Sequence, residues 1–180
     1  MKTMTRKPSS VRAWTAAMLL LGLVACAAPR PEEAAAASLQ PTRGNTVSGT
    51  VRFVQNGDTV KVTGEVKGLK PNAEHGFHVH EKGDCSSGDG MSTGGHFNPT
   101  GTAHGQHGHG THHVGDLPSL MADAQGVAKV DFSTRALTLK PGVTSIMDKG
   151  LIVHRDPDDY KTQPTGNSGP RVACAVIRAA

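Results

Sequence analysis

The chain is predicted to fold as an all-β domain, a sandwich or barrel of seven or eight short antiparallel strands. Three observations lead there. Residues 46–69 alternate apolar and polar side chains, five shorter apolar runs follow with turn residues between them, and no helical period emerges. Aromatic residues make up only 3% of the chain, so its core must be built mostly of Val, Leu, Ile and Ala. Short strands with many glycines between them suit a β-sandwich or barrel.

The N-terminus is a separate matter. Lys2, Arg6, Lys7 and Arg12 lead into an apolar run at 13–24 that ends Leu23-Val24-Ala25-Cys26. A charged lead followed by so short an apolar run is expected to be a secretory signal over 1–25 rather than a membrane span. Its ending resembles the lipobox of bacterial lipoproteins, in which Cys26 would be lipidated and become the first mature residue. Plain cleavage nearby, at Ala25-Cys26-Ala27, is the alternative. The expected destination is the cell envelope or periplasm, with the chain held to a membrane by lipid on Cys26. Residues 26–45 are rich in Ala and Pro and poor in large apolar side chains, which predicts a flexible tether with at most a short helix over 32–39. The folded domain is then expected over 46–180.

Removing the signal changes the charge. The full chain carries 19 Lys and Arg against 15 Asp and Glu, and all four basic residues before Cys26 would leave with the signal. The mature chain would hold 15 of each, formally neutral. The basic character therefore argues for no nucleic-acid partner, since no cationic tract remains to neutralise phosphates. Three cysteines are an odd number for an exported chain. With Cys26 lipidated, Cys85 and Cys174 remain, either as a disulfide, which export favours, or as two buried thiols.

Along the domain, Val47, Val51 and Phe53 form one run and Val60, Val62 and Val66 the next. Asn56-Gly57 stands between them and predicts a type I′ hairpin turn. Further strands are expected at 76–80, 127–132, 137–139, 150–154 and 172–177. The segment from 85 to 116 is too polar and Gly-rich for a core, and a loop of that length usually carries function.

Nine of the ten histidines fall between His75 and Asp116, with His154 apart from them. Neutral imidazole is the commonest protein metal ligand. His78 and His80, two apart on an expected strand, leave the same face and can reach one ion. With His96, His104, His113, Asp116 and His154 they offer more ligands than one ion needs, which points to two metals. Three His and one Asp suit tetrahedral zinc. An all-imidazole set suits copper among other ions, and ligand type alone leaves nickel or a second zinc open.

The motifs GFHVHE at 76–81, GGHFNP at 94–99, HVGDL at 113–117 and GPRVACAVI at 169–177, in this order, resemble the copper–zinc superoxide dismutase family in its exported bacterial form. The likeness runs from about residue 49 to 177. It implies an eight-stranded antiparallel Greek-key barrel with a long metal-binding loop, and an enzyme that dismutes superoxide at copper. Carried over to this chain, it implies copper on His78, His80, His96 and His154, and structural zinc on His96, His104, His113 and Asp116. His96 would bridge the two ions and take part in catalysis. Asp158 would link a copper histidine to a zinc histidine, Arg171 would stand beside copper for the anionic substrate, and Cys85 and Cys174 would form the disulfide.

Other residues have plainer expected roles. His75 is expected to bond backbone, and His107, His109 and His112 to be solvated loop residues. Asp156 and Asp159 are expected in turns or in solvent. A lipid-anchored copper and zinc buffer on the same scaffold is the alternative function, motivated by the His-rich loop. The sequence leaves a homodimer open.

Overall fold

Valine-rich alternation builds the centre of the fold. In β2 (Ser48–Asn56) Val51 and Phe53 point inward, and in β3 (Thr59–Lys67) Val60, Val62 and Val66 do the same; all five are fully buried. The two strands pair antiparallel along their whole length, from Asn56↔Thr59 to Ser48↔Lys67. The computed structural model describes residues 33–180 together with residues 1 and 3. The signal expected over 1–25, Cys26 and the start of the expected tether lie outside the described residues. The chain divides into two units, Met1–Arg30 and Pro31–Ala180, and all strands among the described residues belong to the second.

The tether expectation requires correction. Residues Ala34–Pro41 form strand β1, which pairs with β2 from Ala34↔Val54 to Leu39↔Gly49. Neither a flexible segment nor a helix occupies 34–41. Alanine has low strand propensity, but propensity yields to packing. Ala35, Ala37 and Leu39 alternate inward and are 0–1% exposed, so small side chains are what this crowded position accepts.

Five more strands complete the frame. They are β5 (Phe77–His80), β7 (Ala128–Thr134), β8 (Gly150–His154), β9 (Arg171–Val176) and the short β10 (Arg178–Ala179). Together the eight strands form one curled antiparallel sheet in the order β5-β8-β9-β1-β2-β3-β7, with β10 also on β1. A small ribbon pairs β4 (Glu74–His75) with β6 (Leu120–Met121). The path β3 to β7 skips three strands in sequence and β9 to β1 joins the two ends of the domain, as the Greek-key reading requires.

Two local expectations change. Asn56 and Thr59 are a paired position, so the hairpin loop is Gly57-Asp58 and only Gly57 has positive φ, at 60°. That places glycine at the first central position, as a type II′ turn demands. Residues 137–139 supply Leu137 and Leu139 to the core but make only an isolated bridge, Thr138↔Ser145. Burial alone did not make them a strand.

Cys85 and Cys174 are joined by a disulfide, with Cα atoms 6.0 Å apart and a sequence separation of 89. It ties the long loop to the middle of β9. Closing so large a loop in the unfolded chain is worth about 4–5 kcal/mol in the chain-entropy model. Cys85→Ala with Cys174→Ala should lower unfolding free energy by about 2–5 kcal/mol, read from denaturant titration. A midpoint unchanged by the double substitution would show that the bond contributes nothing to the fold.

Candidate metal centre

The site begins with the pleat of β5. Phe77 and Val79 point into the core and His78 and His80 leave the opposite face, all four fully buried. The far edge of β5 is closed by loop backbone rather than by a strand. Phe97 N–H donates to Val79 O (2.8 Å), Val79 N–H to Gly115 O (2.8 Å) and Gly115 N–H to Phe97 O (2.8 Å). A Cβ at Gly115 would overlap Val79 O, so only glycine lets these three backbones meet. This packing sets His96 across from His80 and Asp116 across from His78.

The motif HVGDL then sorts itself between two environments. Val114 and Leu117 are buried in the core, while His113 and Asp116 face the histidines. His154 arrives on β8, whose partner β9 shifts register there: Val153 pairs with Ala173 but His154 pairs with Arg171. The extra residue, Val172, turns Arg171 onto the histidine side. The guanidinium, half-buried, donates to Gly90 O (2.6 Å), Thr93 Oγ1 (2.9 Å) and Gly94 O (2.7 Å).

Two sets of ligand atoms converge, each within 4.8 Å of one another: His78, His80, His96 and His154, and His96, His104, His113 and Asp116. All seven residues are buried. In the first set, hydrogen bonds select which nitrogen is left over. His78 Nε2–H donates to Asp158 Oδ2 (2.7 Å), His80 Nδ1–H to Gly94 O (2.9 Å) and His154 Nδ1–H to Gly169 O (3.1 Å). The remaining atoms, His78 Nδ1, His80 Nε2, His96 Nε2 and His154 Nε2, are buried without any partner. An unsatisfied buried polar atom costs about 1–3 kcal/mol, so four together call for a cation to accept their lone pairs. The second set centres on Asp116, whose Oδ1 accepts from His96 Nδ1 (2.9 Å) and His104 Nδ1 (3.1 Å), with His113 Nδ1 3.5 Å away. Its Oδ2 accepts backbone N–H from His113 (2.8 Å) and Gly105 (3.2 Å), which fixes the carboxylate.

Asp158 connects the sets from outside, accepting His78 Nε2–H on one oxygen and His104 Nε2–H (2.9 Å) on the other. Such carboxylates fix ring orientation and tautomer. Gly166 has φ 63°, and a Cβ there would overlap Asp158 Oδ1 and crowd His104. Gln163 clamps His104 by its backbone, accepting its N–H (2.8 Å) and donating to its O (3.0 Å). Neither residue is singled out by sequence reasoning. A glycine in a Gly-rich stretch and a lone glutamine carry no motif, and only the fold brings them to His104.

The remaining histidines divide as follows. His75 Nδ1–H donates to His154 O (3.0 Å), the backbone role expected of it. His109 is exposed. His107 and His112 are half-buried with backbone partners, a correction to the expectation of solvated loop residues. Asp159 holds the turn at Lys161 and Thr162, and Asp156 forms an exposed pair with Arg155.

Protonation follows from this packing. Burial lowers His96 to about 4 despite the Asp116 carboxylate, and lowers His154 to about 3. Burial opposes charge on His104 too, but its hydrogen bonds to Asp116 and Asp158 prevail and raise it to about 9. The two groups held neutral in the fold contribute stability that is complete above their ordinary value of 6.5 and lost as pH falls toward 4 and 3. His104 contributes stability that is complete below 6.5 and lost as pH rises through about 9. The melting temperature of metal-free protein should therefore peak near pH 6.5 and fall on both sides. Calorimetry from pH 4 to pH 10 would check this, and a flat profile would contradict the assigned protonation.

The family model for copper/zinc superoxide dismutase (SODC) matches residues 47–177. The Cu-Zn superoxide dismutase of Paramecium bursaria Chlorella virus 1 is 45% identical over 137 residues, covering 73% of this chain and 72% of that protein. The extracellular Cu-Zn superoxide dismutase of Brugia pahangi is 40% identical over 152 residues, covering 79% and 74%. Among solved structures, the clock protein EA4 superposes with a TM-score of 0.75 at 38% identity, covering 83% of this chain and 96% of that one. With the family model spanning most of the folded unit, the chain belongs to the copper/zinc superoxide dismutase family.

Proposed function

We propose that this chain converts two superoxide anions and two protons into oxygen and hydrogen peroxide, with copper and zinc as cofactors. The observation that carries the reading is the set of four buried, unpartnered imidazole nitrogens that meet beside Arg171. His78 Nδ1 and the Nε2 atoms of His80, His96 and His154 would hold copper. The Nδ1 atoms of His96, His104 and His113 with Asp116 Oδ1 would hold zinc. Copper supplies one-electron redox chemistry when bound, whereas zinc, being d¹⁰, supplies charge and geometry only.

The chain's own residues do the rest. His96 is the shared ligand, and it must give up both ring hydrogens to serve both clusters. Its Nε2 is then the site at which a proton for the product can be held. Asp158 keeps His78 and His104 in the tautomers that leave each Nδ1 toward its cluster. Arg171 cannot be a ligand, because a guanidinium offers only donors. Its charge serves the anionic substrate, and the fork that grips Gly94 O also steadies His80, which bonds the same carbonyl. The mature chain is formally neutral, so steering must be local, over about a Debye length of 8 Å at physiological salt.

Protein loaded with both metals should hold one copper and one zinc per chain and remove superoxide; fully loaded protein without activity would refute the reading. Arg171→Ala should retain both metals yet react about tenfold more slowly, with a weaker dependence on ionic strength. Arg171→Lys should recover the salt dependence, because the charge returns while the fork does not. Stopped-flow rates at several salt concentrations decide this, and full activity of Arg171→Ala with an unchanged salt slope removes Arg171 from the mechanism.

We further infer that residues 1–25 are a signal and that lipid on Cys26 anchors the exported domain to a membrane of the cell envelope. The Cys85–Cys174 disulfide supports export, because such bonds persist in oxidising compartments. With β1 starting at Ala34, the linker between lipid and sheet is short. Cys26→Ser should release the domain into the soluble fraction and remove the mass of the lipid. Unchanged membrane association and mass would eliminate lipidation there.

A further inference from the structure

Three histidines of the long loop belong to neither buried cluster. Two of them, His107 and His112, are half-buried with ring centres 5.2 Å apart. Each gives its Nδ1–H to a backbone carbonyl, His107 to Asp116 O (2.8 Å) and His112 to His113 O (2.7 Å). A metal-ligating histidine is ordinarily held in this way, one nitrogen tied to a carbonyl or carboxylate and the other left with its lone pair. Neither Nε2 has a hydrogen-bond partner among the described residues.

The 5.2 Å spacing of the pair is one that two imidazoles on a common ion can have, and His109 would have to turn toward them to complete a set. Two imidazoles on one tetrahedral ion, at metal–nitrogen distances of about 2.0–2.1 Å, have ring centres about 5 Å apart. The three histidines that converge with Asp116 have ring centres separated by 5.3, 5.4 and 5.5 Å. Phe132 packs edge-on against His107 at 5.8 Å and holds that ring in place. His109 is exposed between Gly108 and Gly110, which have φ of 75° and 57° and nothing within 4 Å of a Cβ at either position. Two unhindered glycines let His109 reorient without displacing packed atoms.

We propose that His107, His109 and His112 form a third metal site on the loop surface, for a divalent ion of the class that imidazole favours, zinc or copper(II). Three neutral imidazoles with no carboxylate exclude magnesium and calcium, which require oxygen ligands. Water would complete the coordination. The site stands apart from which ion occupies which buried cluster, so its failure and that of the dismutase reading are separable. Because its two anchored rings hang on the carbonyls of His113 and Asp116, its occupancy should also stiffen the segment carrying those two side chains.

Zinc titrated into protein already holding its copper and zinc should add one further equivalent per chain, read by calorimetry and by metal analysis after gel filtration. His107→Gln with His112→Gln should abolish that equivalent. His109→Ala, at an exposed position, should leave the two buried metals in place and weaken the third by at least about tenfold. Occupancy should slow the loss of buried zinc to a chelator. No further equivalent overturns the proposal, as does one that persists undiminished in the double variant or in His109→Ala.

Discussion

His96 has one ring nitrogen in each of two buried clusters, and much of the domain exists to keep that ring where it is. Its Nδ1 faces Asp116 and its Nε2 faces His78, His80 and His154 without a partner. Rotating the ring would remove it from both sets at once. Its place is set by backbone: Phe97, the next residue, is bonded between Val79 and Gly115, and His96 lies across from His80. A shared imidazole therefore turns two separate ligand sets into one mechanical unit.

Such a cluster is costly to assemble. Several imidazoles and two carboxylates sit in the interior, and five imidazole nitrogens are unsatisfied there, four in the cluster and the fifth on His75. The surrounding sheet offsets this cost, with Phe53, Phe77, Leu151 and Ile177 fully buried on its core face. The disulfide limits the freedom of the long loop at its start, and Val114 and Leu117 insert its end into the core. The loop thus has no regular secondary structure across its ligands but is secured on both sides of them. A metal ion bound there would meet a nearly preorganised site, where little ordering entropy remains to be lost.

Arg171 shows how a small irregularity serves chemistry. In a regular β9 it would share the face of Ala173, turned to the core. The register shift beside His154 brings it to the histidine side, and its fork ties together the carbonyls of Gly90 and Gly94. Positive charge, an ordered loop and the ring of His80 are joined through one side chain.

Much of this was legible in the chain. Period-two alternation identified β2 and β3, because a half-buried strand must alternate. His78 and His80 were readable as same-face residues for the same reason, whereas His113 and Asp116 of HVGDL were picked out only by the family resemblance of that motif. Other features depended on partners remote in sequence. β1 is a run of alanines whose strand state comes from the neighbours it pairs with, and Gly57-Asp58 became the turn because Asn56 was needed opposite Thr59. Gly166 and Gln163 matter only because the 158–168 loop folds against His104. Residue type and spacing specify which atoms can bind a metal; packing across the sheet decides which nitrogen of each ring is left free to do so, since that depends on where the other hydrogen bond goes.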